Sequence, residues 1–166
     1  MYRQMTARLF KSKPNRGFTL VEIIIALALG GLVSLLVFYA LRQAQYTARD
    51  GLRRKYVQKV AENLDIYKDS AANQFQYPTT AIFASKFIAS GQAYFVPGND
   101  PSTGANFTAA VLASGAIPAY GSYGLGVLIY QPGYACGVNG GTANSGVYRI
   151  YTKLEENNTM YCVDNH

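Results

Sequence analysis

The sequence predicts an α+β fold: a long N-terminal α-helix, half membrane-spanning and half amphipathic, packed against a small antiparallel β-sheet head. Three observations predict it. The run Ile23–Leu41 carries no charge, and helical spacing without proline continues from Arg42 into the low seventies. Beyond residue 79 the chain is rich in Gly, Ala, Ser, Thr and Tyr, with short alternating runs. A chain of 166 residues has room for one such domain, and a helix of about 80 Å would not fit inside a compact domain of that size.

The first element is a basic segment. A net charge of +6 and a pI near 9.3 invite a nucleic-acid partner. However, Arg3, Arg8, Lys11, Lys13 and Arg16 supply +5 of that charge within residues 1–17, where no acid occurs. The rest of the chain is close to neutral. The uncharged run that follows would span roughly 28 Å as a helix, about the thickness of a bilayer core. A basic flank before it predicts an N-terminus held in the cytoplasm. A secretory signal peptide would have an apolar core of only about 7–15 residues and a small-x-small cleavage site. Here the run ends in Phe38-Tyr-Ala-Leu-Arg42.

Glu22 sits at the start of the apolar run. A carboxylate at the centre of a spanning helix costs on the order of 2.5–3.5 kcal/mol, and less near an interface. It either snorkels to the headgroups or serves a function. No Lys or Arg lies between Glu22 and Arg42 to neutralise it. A free amine at Phe18 would be a suitable cation, and it exists only if the chain is cut after Gly17.

The string Lys13-Pro-Asn-Arg-Gly17, then Phe18-Thr-Leu-Val-Glu22, resembles the class III leader and cleavage site of type IV pilins and type II secretion pseudopilins. The resemblance implies a pilin fold and a cut after Gly17 by a membrane-embedded prepilin peptidase. It also implies N-methylation of Phe18. Glu22 is then expected to pair with the terminal amine of a neighbouring subunit, which sets the axial register of assembly.

The stem, residues 42–76, places Leu52, Tyr56, Lys59 and Asn63 in one row. Val57, Val60, Ala61, Leu64, Tyr67, Lys68 and Ala71 follow 3–4 spacing. Arg42, Arg49, Arg53, Arg54, Lys55 and Lys59 form a basic stretch. Phosphate contact there is set against a solvated helix face compensated by Asp50, Glu62 and Asp65. Asn73-Gln-Phe-Gln-Tyr77-Pro78-Thr79-Thr80 is similar to the aromatic-Pro-Thr exit from the stem in that family, and Pro78 is expected to stop the helix. Tyr39 stands where many major subunits of the family carry a helix proline, which makes a minor subunit more credible.

The head, residues 77–166, opens with a loop expected from Ile82 to about Ile117, including the turn cluster Gly98–Gly104. Strands are expected at Gly124–Gln131, Val147–Leu154 and Met160–Val163, the last two joined through Glu156–Asn158. In Val147–Leu154, Tyr148, Ile150, Thr152 and Leu154 share one face. In an exported segment, Cys136 and Cys162 favour a disulfide, resembling the C-terminal disulfide region of pilins. The Asp-Pro turn loosely resembles one near a calcium site in major pseudopilin heads. Asp100, Asp164 and Glu155-Glu156 are too scattered along the chain to define such a site, so no metal ligand is assigned. A glycan surface at Tyr120, Tyr123, Tyr130 and Tyr134 is set against sheet and interface packing.

Composition excludes several chemistries. The one histidine is His166, the two cysteines cannot make a four-thiolate zinc site, and GxSxG, HExxH and P-loop motifs are absent. The domains expected are therefore residues 1–17 (leader), 18–41 (membrane and filament-core helix), 42–76 (amphipathic stem) and 77–166 (head). Neither a catalytic residue nor a cofactor is expected. The resemblance implies a structural subunit of a type IV pilus or pilus-like filament. A low-copy tip subunit binding DNA, glycan or a host surface is the alternative, as is a secretion pseudopilin. Implied partners are copies of itself or other pilins, the prepilin peptidase, an inner-membrane platform protein with its assembly ATPase, and membrane lipid before assembly. The precursor would be a single-pass cytoplasmic-membrane protein that ends in a surface or periplasmic filament.

Overall fold

The computed structural model describes residues 17–70, 73, 76–112, 115–137, 144 and 146–165. The leader up to Arg16, together with Ala71, Gln74, Phe75 and His166, lies outside the described residues. The architecture is α+β: a long N-terminal helix and a small mixed four-stranded sheet. The chain divides into two compact units, residues 1–40 and residues 41–166.

Helix α1, Leu20–Asp69, has 50 residues. Its start follows from local chemistry, because the Thr19 hydroxyl accepts a hydrogen bond from the Glu22 amide at 3.2 Å. Thr19-Leu-Val-Glu22 is thus a capping-box sequence, and Glu22 places a carboxylate in the first turn, at the positive end of the helix dipole. In the first unit every described side chain is exposed, including Leu27 at 72% and Leu35 at 69%. Among the described residues α1 is the one helix long and apolar enough to cross a membrane. Gly30 and Gly31 do not interrupt it, and the Ser34 hydroxyl donates to the Gly30 carbonyl at 2.8 Å.

In the second unit, α1 buries Tyr56, Val57, Val60, Ala61, Leu64 and Tyr67, the 3–4 stripe expected of an amphipathic stem. The helix ends at Asp69, well before Pro78, so proline is not what stops it. The Asn73 side-chain amide donates to the Tyr67 carbonyl at 2.9 Å, and the Asn73 backbone amide donates to the Ser70 carbonyl at 2.9 Å. An orphan C-terminal carbonyl thereby finds a side-chain donor and the chain turns away. The Pro78 carbonyl has another role, accepting from the buried Tyr130 hydroxyl at 2.8 Å.

The segment expected as a loop from Ile82 to Ile117 contains structure. Helix α2, Thr80–Phe83, runs into a π-helical turn, Ala84–Ile88, and strand β1 follows at Thr108–Val111. Phe83 and Phe87, four residues apart, both enter the core, and Phe83 stacks on Tyr130 at 4.2 Å between ring centroids. Strands β2 (Val127–Pro132), β3 (Tyr148–Lys153) and β4 (Met160–Asp164) complete the sheet in the order β1-β2-β3-β4.

The sheet is mixed and not wholly antiparallel. β2–β3 and β3–β4 pair antiparallel as expected, whereas β1 lies parallel to β2, Thr108 opposite Val127. The reason is the connection. Between β1 and β2 the chain crosses over through a 3₁₀ turn, Tyr120–Ser122, and re-enters in the same direction, which a tight hairpin does not allow. Gly126, at φ +76°, begins the return, and a Cβ there would lie 2.9 Å from the Asp100 Cβ.

One face of the sheet, with Leu128, Tyr130, Tyr148 and Ile150, packs on the second-unit part of α1. The opposite face is closed as well. Arg149 is fully buried there, donating to Gln131 across the strand pair at 2.6 Å and to the carbonyls of Gly115 at 2.7 Å and Ala135 at 2.9 Å. Cys136 and Cys162 form a disulfide across 26 residues, and in the chain-entropy model a loop of that length contributes about 3.5 kcal/mol. Burial separates α1 positions that hydropathy alone would group. Leu64→Ala should lower stability by about 2–5 kcal/mol, whereas Leu52→Ala, on the outward side, should change it by less than about 0.5 kcal/mol. Denaturant unfolding of the detergent-solubilised chain measures both, and similar losses would show that the assigned face is wrong.

Candidate functional site

The residues expected to carry processing and assembly cluster at the start of α1. Gly17, Phe18 and Thr19 precede the helix and are exposed, Phe18 at 76%. A Cβ built on Gly17 meets nothing within 4 Å. Nothing in the described fold therefore demands glycine at that position. Glu22 is exposed on the same turn, amid Leu20, Val21 and Ile23. The capping role of Thr19 was not anticipated, although the Thr-x-x-Glu spacing carries the signal.

In the second unit the structure assembles a charged centre that sequence spacing concealed. Arg53 is 0% exposed. Its Nε donates to Asp100 Oδ2 at 2.6 Å, its Nη1 to Asp50 Oδ1 at 2.7 Å, and its Nη2 to Glu155 Oε1 at 2.7 Å. Nη2 also reaches Asp100 Oδ1 at 3.0 Å and the Ser102 hydroxyl at 2.8 Å. All three nitrogens of the guanidinium are thus engaged. Asp50 serves a second purpose, since its two oxygens accept from the backbone amides of Glu155 at 2.9 Å and Glu156 at 2.7 Å. Asp100 Oδ1 accepts from the amides of Ser102 at 3.0 Å and Thr103 at 3.1 Å, which shapes the Gly98–Gly104 turn.

The electrostatics follow from this geometry. Burial alone would raise the Asp100 pKa, but Arg53 and the Ser102 and Thr103 donors hold its carboxyl well below the usual carboxylate range. Burial would likewise lower the pKa of Arg53, and the bonds to Asp100, Glu155 and Asp50 hold it above the ordinary value. Nearby, burial pushes the Tyr56 phenol up to about 12, with its hydroxyl donating to the Val96 carbonyl at 2.8 Å.

Three expectations change as a result. Asp100 and Glu155 are scattered in sequence but meet in space, and what they surround is a guanidinium. Among the described residues no group of three or more His, Cys, Asp or Glu side chains could hold a metal ion. Asp164 is engaged elsewhere, its Oδ2 accepting from the Cys136 amide at 2.6 Å. The basic stretch is also broken: Arg53 is buried and Arg49 is half-buried at 3.4 Å from Glu155, so only Arg42, Arg54, Lys55 and Lys59 of that stretch are exposed. Asp50 is buried with Arg53 and compensates nothing on the surface. Tyr130, finally, is 0% exposed and cannot contribute to a glycan surface.

Residues 12–38 match the family model described as the prokaryotic N-terminal methylation motif. The match covers the last six residues of the leader, the Gly17-Phe18 junction, Glu22 and most of the apolar run. It supports the type IV pilin and pseudopilin family, to which the pilin-like α+β architecture conforms. No curated protein and no solved structure matches the chain.

Two measurements test the charged centre. Arg53→Met leaves buried carboxylates without their partner and should cost about 3–5 kcal/mol; a loss under about 1 kcal/mol would mean that water reaches the cluster. Asp100 has a depressed pKa in the folded state, so its contribution is complete above the unfolded value of about 3.9. It fades as pH falls through the folded value. Stability should therefore decline below about pH 5, and Asp100→Asn should flatten that decline. Urea unfolding between pH 3 and pH 7 reads both, and an unchanged slope in the variant would remove Asp100 from the acid response.

Proposed function

We propose that this chain is a structural subunit of a type IV pilus or pilus-like filament. It is made as a membrane-anchored precursor, cut by prepilin peptidase between Gly17 and Phe18, and N-methylated at Phe18. The observation that carries this is the methylation motif at residues 12–38 lying across the start of α1, whose apolar first-unit part is exposed throughout. The openness around Gly17 supports it, since a glycine with no role in the fold is accounted for by a peptidase that must approach the backbone closely.

The chemistry of assembly then follows from residue types. Methylation keeps the terminal amine cationic. Glu22, with no Lys or Arg before Arg42, accepts the terminal amine of a neighbouring subunit. In lipid an unpaired carboxylate is a penalty, and docking removes it. The exposed face of α1 from Leu20 to Leu41 exchanges lipid for other helices, and a head-to-tail contact that does not close grows into a filament. The basic leader holds the N-terminus in the cytoplasm and the head is exported, consistent with the Cys136–Cys162 disulfide. Energy comes from a cytoplasmic ATPase acting through a platform protein. Tyr39, in place of a helix proline, favours a minor or tip subunit as the second form of this reading, and a secretion pseudopilin is the third.

Replacing Gly17 with a bulky residue should leave an uncut, membrane-bound precursor, detected by intact mass. Glu22→Val should be cut and methylated yet reach shed filaments at a small fraction of the wild-type amount. Normal processing of the first variant, or wild-type assembly of the second, would each remove one step of the scheme.

A further inference from the structure

Charge on the outward side of the stem is segregated along its axis. Among the described residues of the second unit, the exposed acids are Glu62, Asp65 and Asp69, all within one stretch of α1. The exposed bases, Lys86 apart, lie just before them, at Arg42, Arg54, Lys55 and Lys59. Helices are stabilised by opposite charges four residues apart. Here Lys55 and Lys59 repel at that spacing, and so do Asp65 and Asp69. Within one stem Lys59 with Glu62 and Asp65 with Lys68, each three residues apart, offset part of this order, and the remaining segregated charge would attract a second subunit displaced along the axis.

Shape follows charge. Leu52, Lys55 and Lys59 line a groove together with Pro97, Asn99 and Phe107, so its floor is apolar, its rim is basic, and no acid lines it. Further along α1, Glu62, Ile66 and Asp69 fall at i, i+4 and i+7, an exposed ridge with Ile66 at 60% between two carboxylates. Ridge and groove are complementary in polarity and belong to different parts of the same chain. Leu52, Lys55, Lys59, Glu62, Ile66 and Asp69 follow one another at i, i+3, i+7, i+10, i+14 and i+17 along one face of α1, so a second stem laid on that face and displaced along the axis meets both features.

We infer that the groove formed by Leu52, Lys55, Lys59, Pro97, Asn99 and Phe107 receives the Glu62–Ile66–Asp69 ridge of a second copy of this chain. The stems run parallel, because both copies are anchored in one membrane. They are shifted by about seven to ten residues, roughly 10–15 Å, which brings Lys55 and Lys59 of one stem to the acids of the other. The inference deepens the filament reading and rests on it.

The test uses full-length chains co-expressed in pairs, each carrying one added cysteine. Lys59→Cys with Ile66→Cys should cross-link at least fivefold more than either variant with itself. Equal or higher like-with-like yields, or no cross-link, would overturn the interface. Lys55→Glu/Lys59→Glu and Glu62→Lys/Asp69→Lys should each cut filament yield at least tenfold, and the four changes combined in one chain should restore at least half. Loss without restoration overturns it, including the case in which the lysine variant alone loses a bound polyanion such as DNA. Unchanged thermal unfolding of each variant shows that the head still folds. If wild-type chains cross-link as expected but form no filament, the filament reading fails and the paired surface stands.

Discussion

The head is organised around one guanidinium that has no access to water. Arg53 projects from α1 into a space where hydration is replaced by Asp50, Asp100 and Glu155, which come from the helix itself, the Gly98–Gly104 turn and the β3–β4 connection. Desolvating such a group costs several kcal/mol, and only near-complete hydrogen bonding repays it. The alignment of these three segments is therefore narrowly defined. Apolar contacts such as Leu64 against the sheet would tolerate a small slide, but a bidentate carboxylate–guanidinium pair does not. Asp50 extends the constraint to the backbone by holding two consecutive amides of the β3–β4 turn.

A second buried arginine performs the same task on the other face of the sheet. Arg149 gathers Gln131 and the carbonyls of Gly115 and Ala135, fixing segments that have little apolar surface of their own. A head this rich in Gly, Ser and Thr cannot depend on side-chain volume to order its loops. Buried cations with several donors substitute for it, and the aromatic stack of Phe83 on Tyr130 fills what remains. The first unit obeys the opposite rule: its described side chains are all exposed, and most of them are apolar.

Much of this was legible in the sequence. The apolar run, the 3–4 stripe through Val57, Val60, Leu64 and Tyr67, and the strands β2, β3 and β4 follow from periodicity, which reports burial directly. Glu22 stands out in the sequence because a charge in an apolar run is anomalous, and the methylation-motif match at residues 12–38 spans it. Arg53 was not, since on a helix with basic neighbours it looks like one more solvated side chain, and the residues that bury it lie 47 and 102 positions away. Strand β1 was hidden because Thr-Ala-Ala-Val is short and small, and its pairing is set by a crossover. The helix end was misassigned to Pro78 because proline is the louder signal, although an asparagine side chain does the capping.

The reach of the Arg53 cluster along the chain also sets a schedule. Asp50 and the amide it holds in Glu155 are 105 residues apart, and strands β3 and β4 come later in the chain than most of what they cover. As the polypeptide emerges N-terminus first, the helix can form early, yet its buried ions find partners only after Glu155 has arrived. A charged pair left without those partners would have to stay hydrated, since burying it unpaired costs several kcal/mol. Closing loops over such distances carries an entropic cost, and contacts of high sequence separation slow folding, so the buried ions of α1 are paired only once the C-terminal strands are in place.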